Sequence, residues 1–126
     1  MAAHYLRTLA LFADFDGRAG RAEWWGFVAV HLVISLVLLA ASAFVAEALD
    51  LSWIAGGVVV SLYAALTFIP AVSGAARRLH DVGRSSLWLA VGVVPPLAVL
   101  LVAWMALPGD PAPNAWGQPS GARGAG

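Results

Sequence analysis

RRLHDVGRSS, residues 77–86, decides the fold. It packs three arginines, a histidine and an aspartate into ten residues of an otherwise strongly apolar chain. Stretches rich in leucine, valine and alanine lie on both sides of it. Charge beside hydrocarbon is expensive, so a cluster between two lipid-soluble segments belongs at a membrane surface. Arg77 and Arg78 suit the negative dipole end of a preceding helix, and they suit lipid phosphates as well. Gly83 can take the left-handed conformation that stops a helix, and Ser85 or Ser86 can cap the next one.

Composition agrees with a bilayer as solvent. Of 126 residues, 61% are hydrophobic and 11% charged, with mean hydropathy +0.83. That leaves too little polar surface to coat a soluble domain of this size. Seven arginines balance seven acids and lysine is absent, so the basic excess that nucleic-acid binding relies on is missing. With no cysteine, disulfides, thiolate metal sites and cysteine nucleophiles are excluded.

Outward from the charged stretch, residues 53–76 read as a span anchored by Trp53 and containing Gly56, Gly57 and Pro70. Residues 24–46 read as an earlier span, with Trp24 and Trp25 at headgroup level. About 20 helical residues cover a hydrocarbon core of about 30 Å, so both are long enough. Glu47, Asp50 and Ser52 form the polar connection between them. Residues 87–107, with Trp88 and Trp104, read as a third span. Pro95-Pro96 removes two backbone donors from its middle and predicts a kink or break.

Ahead of the spans, Tyr5, Leu6, Leu9, Phe12 and Ala13 share one helical stripe, with His4, Arg7 and Thr8 elsewhere. This predicts a short helix lying in the interface, apolar side toward lipid. The run 8–13 is too marginal for a cleaved signal, and no small-residue cleavage site follows it. DFDGRAGR, residues 14–21, suits a turn, with Gly20 as N-cap and Glu23 in the first helical turn. The tail, residues 108–126, is rich in Pro, Gly and Ala and reads as unfolded beyond Gly117. The expected architecture is all-α: an integral membrane protein with three transmembrane helices and an N-terminal interfacial helix. Residues 1–22 form its N-terminal segment, 24–107 its membrane domain and 108–126 its tail.

Arginine placement sets the expected orientation. Arg7, Arg18, Arg21, Arg77, Arg78 and Arg84 fall on one side of three crossings, against Arg123 alone on the other. The positive-inside rule then puts the N-terminus and RRLHDVGRSS in the cytoplasm and the C-terminus outside. A third segment re-entrant at Pro95-Pro96 would keep the tail inside.

The candidate site is the set Arg18, Arg21, Glu23, Arg77, Arg78, His80, Asp81 and Arg84. These residues would dock the helix ends to one another, or meet anionic lipid headgroups or another membrane protein. In the docking reading Arg18 or Arg21 meets Asp81, and Asp16 or Glu23 meets Arg77, Arg78 or Arg84. Adjacent His80 and Asp81 invite metal or acid–base chemistry, but two residues do not make a metal site. No catalytic, cofactor or metal residue is assigned. His31, inside the first span, is a candidate intramembrane polar residue, expected to bond Ser73, Thr67 or a backbone carbonyl. Gly57, Ser61 and Ala65 make a small-residue face suited to packing within the chain or between copies.

Three pieces of the chain, in order, resemble the bacterial inner-membrane family grouped as domain of unknown function 805. They are FADFDGRAGRAEWWGF (residues 12–27), IPAVSGAARRLHDVGRSSLW (69–88) and PGDPAPNAWGQP (108–119). The chain departs from the usual pattern in having Ser86-Leu87-Trp88 after Gly83-Arg84-Ser85, Trp116 in place of tyrosine, and Gln118 before Pro119. The resemblance implies an integral protein of the bacterial plasma membrane and brings no activity, substrate or cofactor. The functional expectation is a non-enzymatic structural or interaction protein whose Arg-rich cytoplasmic face meets anionic lipid or a partner protein. The alternative is an oligomeric solute or ion transporter built on the Pro-broken helices and His31.

Overall fold

The charged stretch ends a helix. In the computed structural model, which describes residues 1–121, α3 runs through Trp53–Asp81, so RRLHD is its last turn and a half. The elements before it are α1 (Ala2–Ala10) and α2 (Arg21–Ala48), and those after it are a 3-10 helix (Ser86–Val93) and α4 (Pro95–Ala106). Gly83, at φ +72°, stops α3: its N–H donates to the His80 carbonyl (3.1 Å) and the Arg84 N–H to that of Leu79 (2.9 Å). This paired closure satisfies carbonyls that the helix end would otherwise leave open. Ser85 then caps the 3-10 helix through Leu87 N–H.

α2 starts at Gly20, whose extended backbone supplies no side-chain cap, with Glu23 in the first turn. Its 28 residues extend about 42 Å at about 1.5 Å each, and α3 is one residue longer. Both are long and apolar enough to cross a membrane. Leu32, Val33, Leu36, Val37 and Phe44 on α2, and Leu62, Leu66 and Phe68 on α3, are more than half exposed. An apolar belt of that extent calls for lipid as its solvent. Between the helices the chain turns at Asp50 (φ +51°), and Ser52 caps α3 by accepting from Ile54 N–H at 3.1 Å.

The expected third span is not one continuous helix. Residues 87–107 break into the 3-10 helix and α4, and the 12 residues of α4 reach only about 18 Å, short of a core of about 30 Å. Pro95 and Pro96 open α4, where a missing N–H costs nothing, rather than kinking a longer helix. The two pieces fold back on each other as a hairpin. Trp88 meets Trp104 edge-to-face at 5.1 Å, and the Arg84 guanidinium lies 3.7 Å from the Trp104 ring centroid. Both ends of the hairpin return to the end of α3.

α1 also departs from expectation. It packs against α2, with His4 beside Gly26 and Arg7 beside Glu23, so it runs opposite to α2 rather than simply resting its apolar stripe on lipid. Tyr5 and Thr8 are buried, whereas Leu6 and Phe12 are exposed. The polar anchors therefore outweigh the apolar stripe in setting its roll. A small core of Ala75, Leu79, Leu101 and Met105, flanked by Trp24, Leu89 and Trp104, ties the hairpin to α3. It lies directly beneath the charged turn.

Candidate functional site: a buried arginine–aspartate clasp

The last turn of α3 is buried as few charged segments are. Arg77, Arg78, Leu79, His80 and Asp81 are all at most 4% exposed. Asp81 is the hub. Its Oδ1 accepts from Arg18 Nε at 3.0 Å, and its Oδ2 from Arg78 Nη1 at 2.6 Å. Arg18 comes from the turn before α2, held there partly by Ala19 N–H on the Arg77 carbonyl at 2.9 Å. One carboxylate thus joins two guanidiniums from distant parts of the chain, and charge-assisted bonds of this length are the strong kind.

Arg18 also reaches the tail, and Arg78 the end of α4. Arg18 donates through Nη2 to the carbonyls of Asp110 (2.6 Å) and Asp81 (3.2 Å), and through Nη1 to Ala112 (2.9 Å). Arg78 donates through Nε to Met105 (3.0 Å) and through Nη2 to Leu107, satisfying carbonyls that α4 leaves open at its end. Trp25 Nε1 donates to the Met105 carbonyl as well (3.1 Å), and Asp110 N–H to the Asp81 carbonyl (2.7 Å). A buried ion pair is stable only when its remaining lone pairs and protons find partners, and these backbone carbonyls supply them.

His80 belongs to the same assembly without facing Asp81's partners. Its Nδ1 is 3.1 Å from the Gly17 carbonyl, and its ring stacks on Trp116 at 4.5 Å. Asn114 Nδ2 donates to the His80 carbonyl (2.9 Å) and to Asp110 Oδ2 (3.0 Å). A turn closed between Asn114 and Gly117 presents Trp116 to the imidazole. The tail through Gly117 is therefore folded onto the clasp; most of the stretch expected to be unfolded, residues 122–126, lies outside the described residues. Arg123 lies outside the described residues.

The remaining members fall at the edges. Glu23 joins Arg77 Nη1 (3.1 Å) and Arg7 Nε (3.5 Å). Arg77 Nε and Nη2 are buried with no hydrogen-bond partner among the described residues. Arg84 stacks on Trp104 instead of meeting Asp16 or Glu23, and Arg21 borders a cleft beside α1. Of the expected pairings, Arg18–Asp81 and Glu23–Arg77 are present; the alternative Arg21–Asp81 pairing is not made among the described residues.

His31 does not bond Ser73 or Thr67. Its Nδ1 is 3.1 Å from the Tyr63 hydroxyl, which is in turn 3.0 Å from the Tyr5 hydroxyl. Ser73 and Thr67 instead donate to backbone carbonyls, Pro70 and Tyr63 among them. The chain has only two tyrosines and both are in this link, a signal that sequence reading missed. Asn114 and Trp116 were visible only as a motif, because backbone carbonyls, which carry no sequence signature, complete the clasp. Among the described residues no three His, Asp or Glu side chains are grouped to hold a metal ion.

Two spanning-length helices closed at one end by a buried ionic clasp define a small helical membrane protein. The chain belongs to the family described as Protein of unknown function (DUF805), whose profile matches residues 12–118. It is 30% identical over 115 residues to inner membrane protein YhaH of Escherichia coli (strain K12), covering 90% of this chain and 92% of that protein. It is also 30% identical over 103 residues to inner membrane protein YhaI of the same strain, covering 82% and 77%. No solved structure matches the chain.

Proposed function

We propose that this chain is a non-enzymatic structural or interaction protein of the bacterial inner membrane, crossing it twice and inserting a third, re-entrant hairpin from the cytoplasmic side. The observation that carries this reading is the saturation of Asp81. Each of its carboxylate oxygens is held by a different arginine, and both arginines go on to backbone carbonyls near the hairpin's end. A carboxylate so engaged is a fastener, not an acid or base in waiting. In this reading two crossings leave the N-terminus, the clasp and the tail on one side, and the arginine excess supports assigning that side to the cytoplasm.

In this reading the arginines divide by role. Arg18, Arg77 and Arg78 are inside the protein and organise it; Arg7, Arg21 and Arg84 remain to meet anionic lipid headgroups or a membrane partner. The test is extraction in native lipid with a polymer, comparing wild type with a variant carrying glutamine at positions 7, 21 and 84. Loss of co-purified anionic lipid or protein is expected. Unchanged lipid and protein content in a correctly inserted variant would overturn the reading.

A second reading, an oligomeric transporter, draws on the Tyr5–Tyr63–His31 link inside the apolar region. It requires solute or ion flux in proteoliposomes that His31→Ala abolishes.

A further inference from the structure

Beside the clasp, α1, the first turn of α2 and Ser120 border a cleft of about 350 Å³, with Arg18 of the clasp in its wall. We propose that this cleft binds a phosphate monoester, either the headgroup of a lipid or a free phosphate. The proposal rests on the reading that this end faces the cytoplasm and meets anionic groups; it specifies where. Its walls carry His4, Arg7, Gly20, Arg21, Glu23 and Ser120 among others.

Charge is the first argument. Arg21 has no hydrogen bond or ion pair among the described residues, and Arg7, with a side chain 49% exposed, touches Glu23 only through Nε at 3.5 Å. The Glu23 carboxylate is engaged by Arg7 and by Arg77, so it does not present an uncompensated negative charge to the cleft. With Glu23 paired to Arg77 outside the wall, Arg7 and Arg21 leave positive charge in the cleft, which suits a dianion better than the single charge of a diester.

The backbone adds to it. The α2 N-terminus has no side-chain cap, so first-turn N–H groups and the positive dipole end are left for an acceptor. A Cβ at Gly20 would lie 3.0 Å from Ser120 Oγ, so glycine is what lets that hydroxyl approach the helix mouth. Arg77, its side chain 3% exposed, holds Glu23 with Nη1 and so takes up that carboxylate's charge from outside the cleft wall.

The experiment uses the full chain in nanodiscs of zwitterionic lipid, with bound species read by native mass spectrometry. One arm adds inorganic phosphate and the other includes phosphatidic acid in the disc. Wild type is expected to retain at least one of them, with retention falling about tenfold in Arg7→Gln/Arg21→Gln and unchanged in Glu47→Gln, at the far end of α2. Retention of phosphate alone assigns a soluble ligand, and retention of phosphatidic acid alone assigns a lipid. Ser120→Ala, which leaves every ion pair in place, is expected to weaken retention several-fold and guards against misfolding of the double variant.

Retention of neither probe by wild type would overturn the proposal, as would equal retention by wild type, Arg7→Gln/Arg21→Gln and Ser120→Ala. If Arg84→Gln lowers co-purified phosphatidylglycerol while the cleft variants retain both probes fully, the cleft is wrong and the broader cytoplasmic-face reading survives.

Discussion

Gly109 rests against Asp81 so closely that a Cβ at position 109 would overlap the aspartate's Oδ2. The residue that closes the hairpin and the residue that ends α3 are thus fitted to each other, although far apart in sequence. Glycine is required here for lack of bulk, not for unusual backbone angles. Gly109→Ala is expected to lower stability by about 1–3 kcal/mol, the range for forcing a methyl into a filled space. It should also render the tail cleavable by added protease. A thermal melt in detergent and a limited digest check both, and wild-type behaviour in both would refute the fit.

Asp81→Asn keeps the shape and removes the charge. Arg18 and Arg78 would then be buried opposite a neutral amide, and breaking one side of a buried ion pair costs about 3–5 kcal/mol. Because the arginines share one carboxylate, Arg18→Gln combined with Asp81→Asn should destabilise less than the sum of the single changes. Strict additivity in the melts would show that they do not act as a unit.

The re-entrant hairpin proposed above makes a topological prediction that three crossings would reverse. The chain has no cysteine, so single introduced thiols report cleanly. In spheroplasts with an impermeant maleimide, Leu51→Cys should label at once and Ala115→Cys only after the membrane is permeabilised. Immediate labelling at position 115 would restore the third crossing.

Tyr63 is the centre of the intramembrane link, with Tyr5 on one side and His31 on the other. Polar contacts between membrane helices are worth about 0.6 kcal/mol on average and at most about 1.7. Tyr63→Phe should therefore destabilise by about that range and by more than Tyr5→Phe, which removes one partner instead of two. Equal melts for the two variants would contradict the order of the link.

Sequence reading recovered what depends on local physics. Gly83 as the stop of α3, Ser85 as the next cap, Gly20 at the start of α2 and the two long spans all follow from propensity, capping and hydropathy. What it missed depends on contacts between remote segments. Residues 87–107 have enough apolar length to span, and only the bonds from Arg78 and Trp25 back to Met105 show that the chain returns. Arg18 was legible as a candidate for Asp81, but its tail acceptors were not, because they are backbone carbonyls. Thr8 was assigned to the polar side of α1, yet it is buried near Gly74 of α3.

The tail carbonyls that engage Arg18 have one more consequence, for the order of synthesis. Asp110 and Ala112 emerge from the ribosome after both long helices have entered the insertion machinery. Until then Arg18 lacks its acceptors at Asp110 and Ala112, and the clasp is not closed by the tail. The nascent protein therefore passes through a stage in which membrane insertion is largely done and folding is not. Quality-control proteases would meet it during that interval, and a ribosome stalled before residue 110 would leave a chain marked for removal.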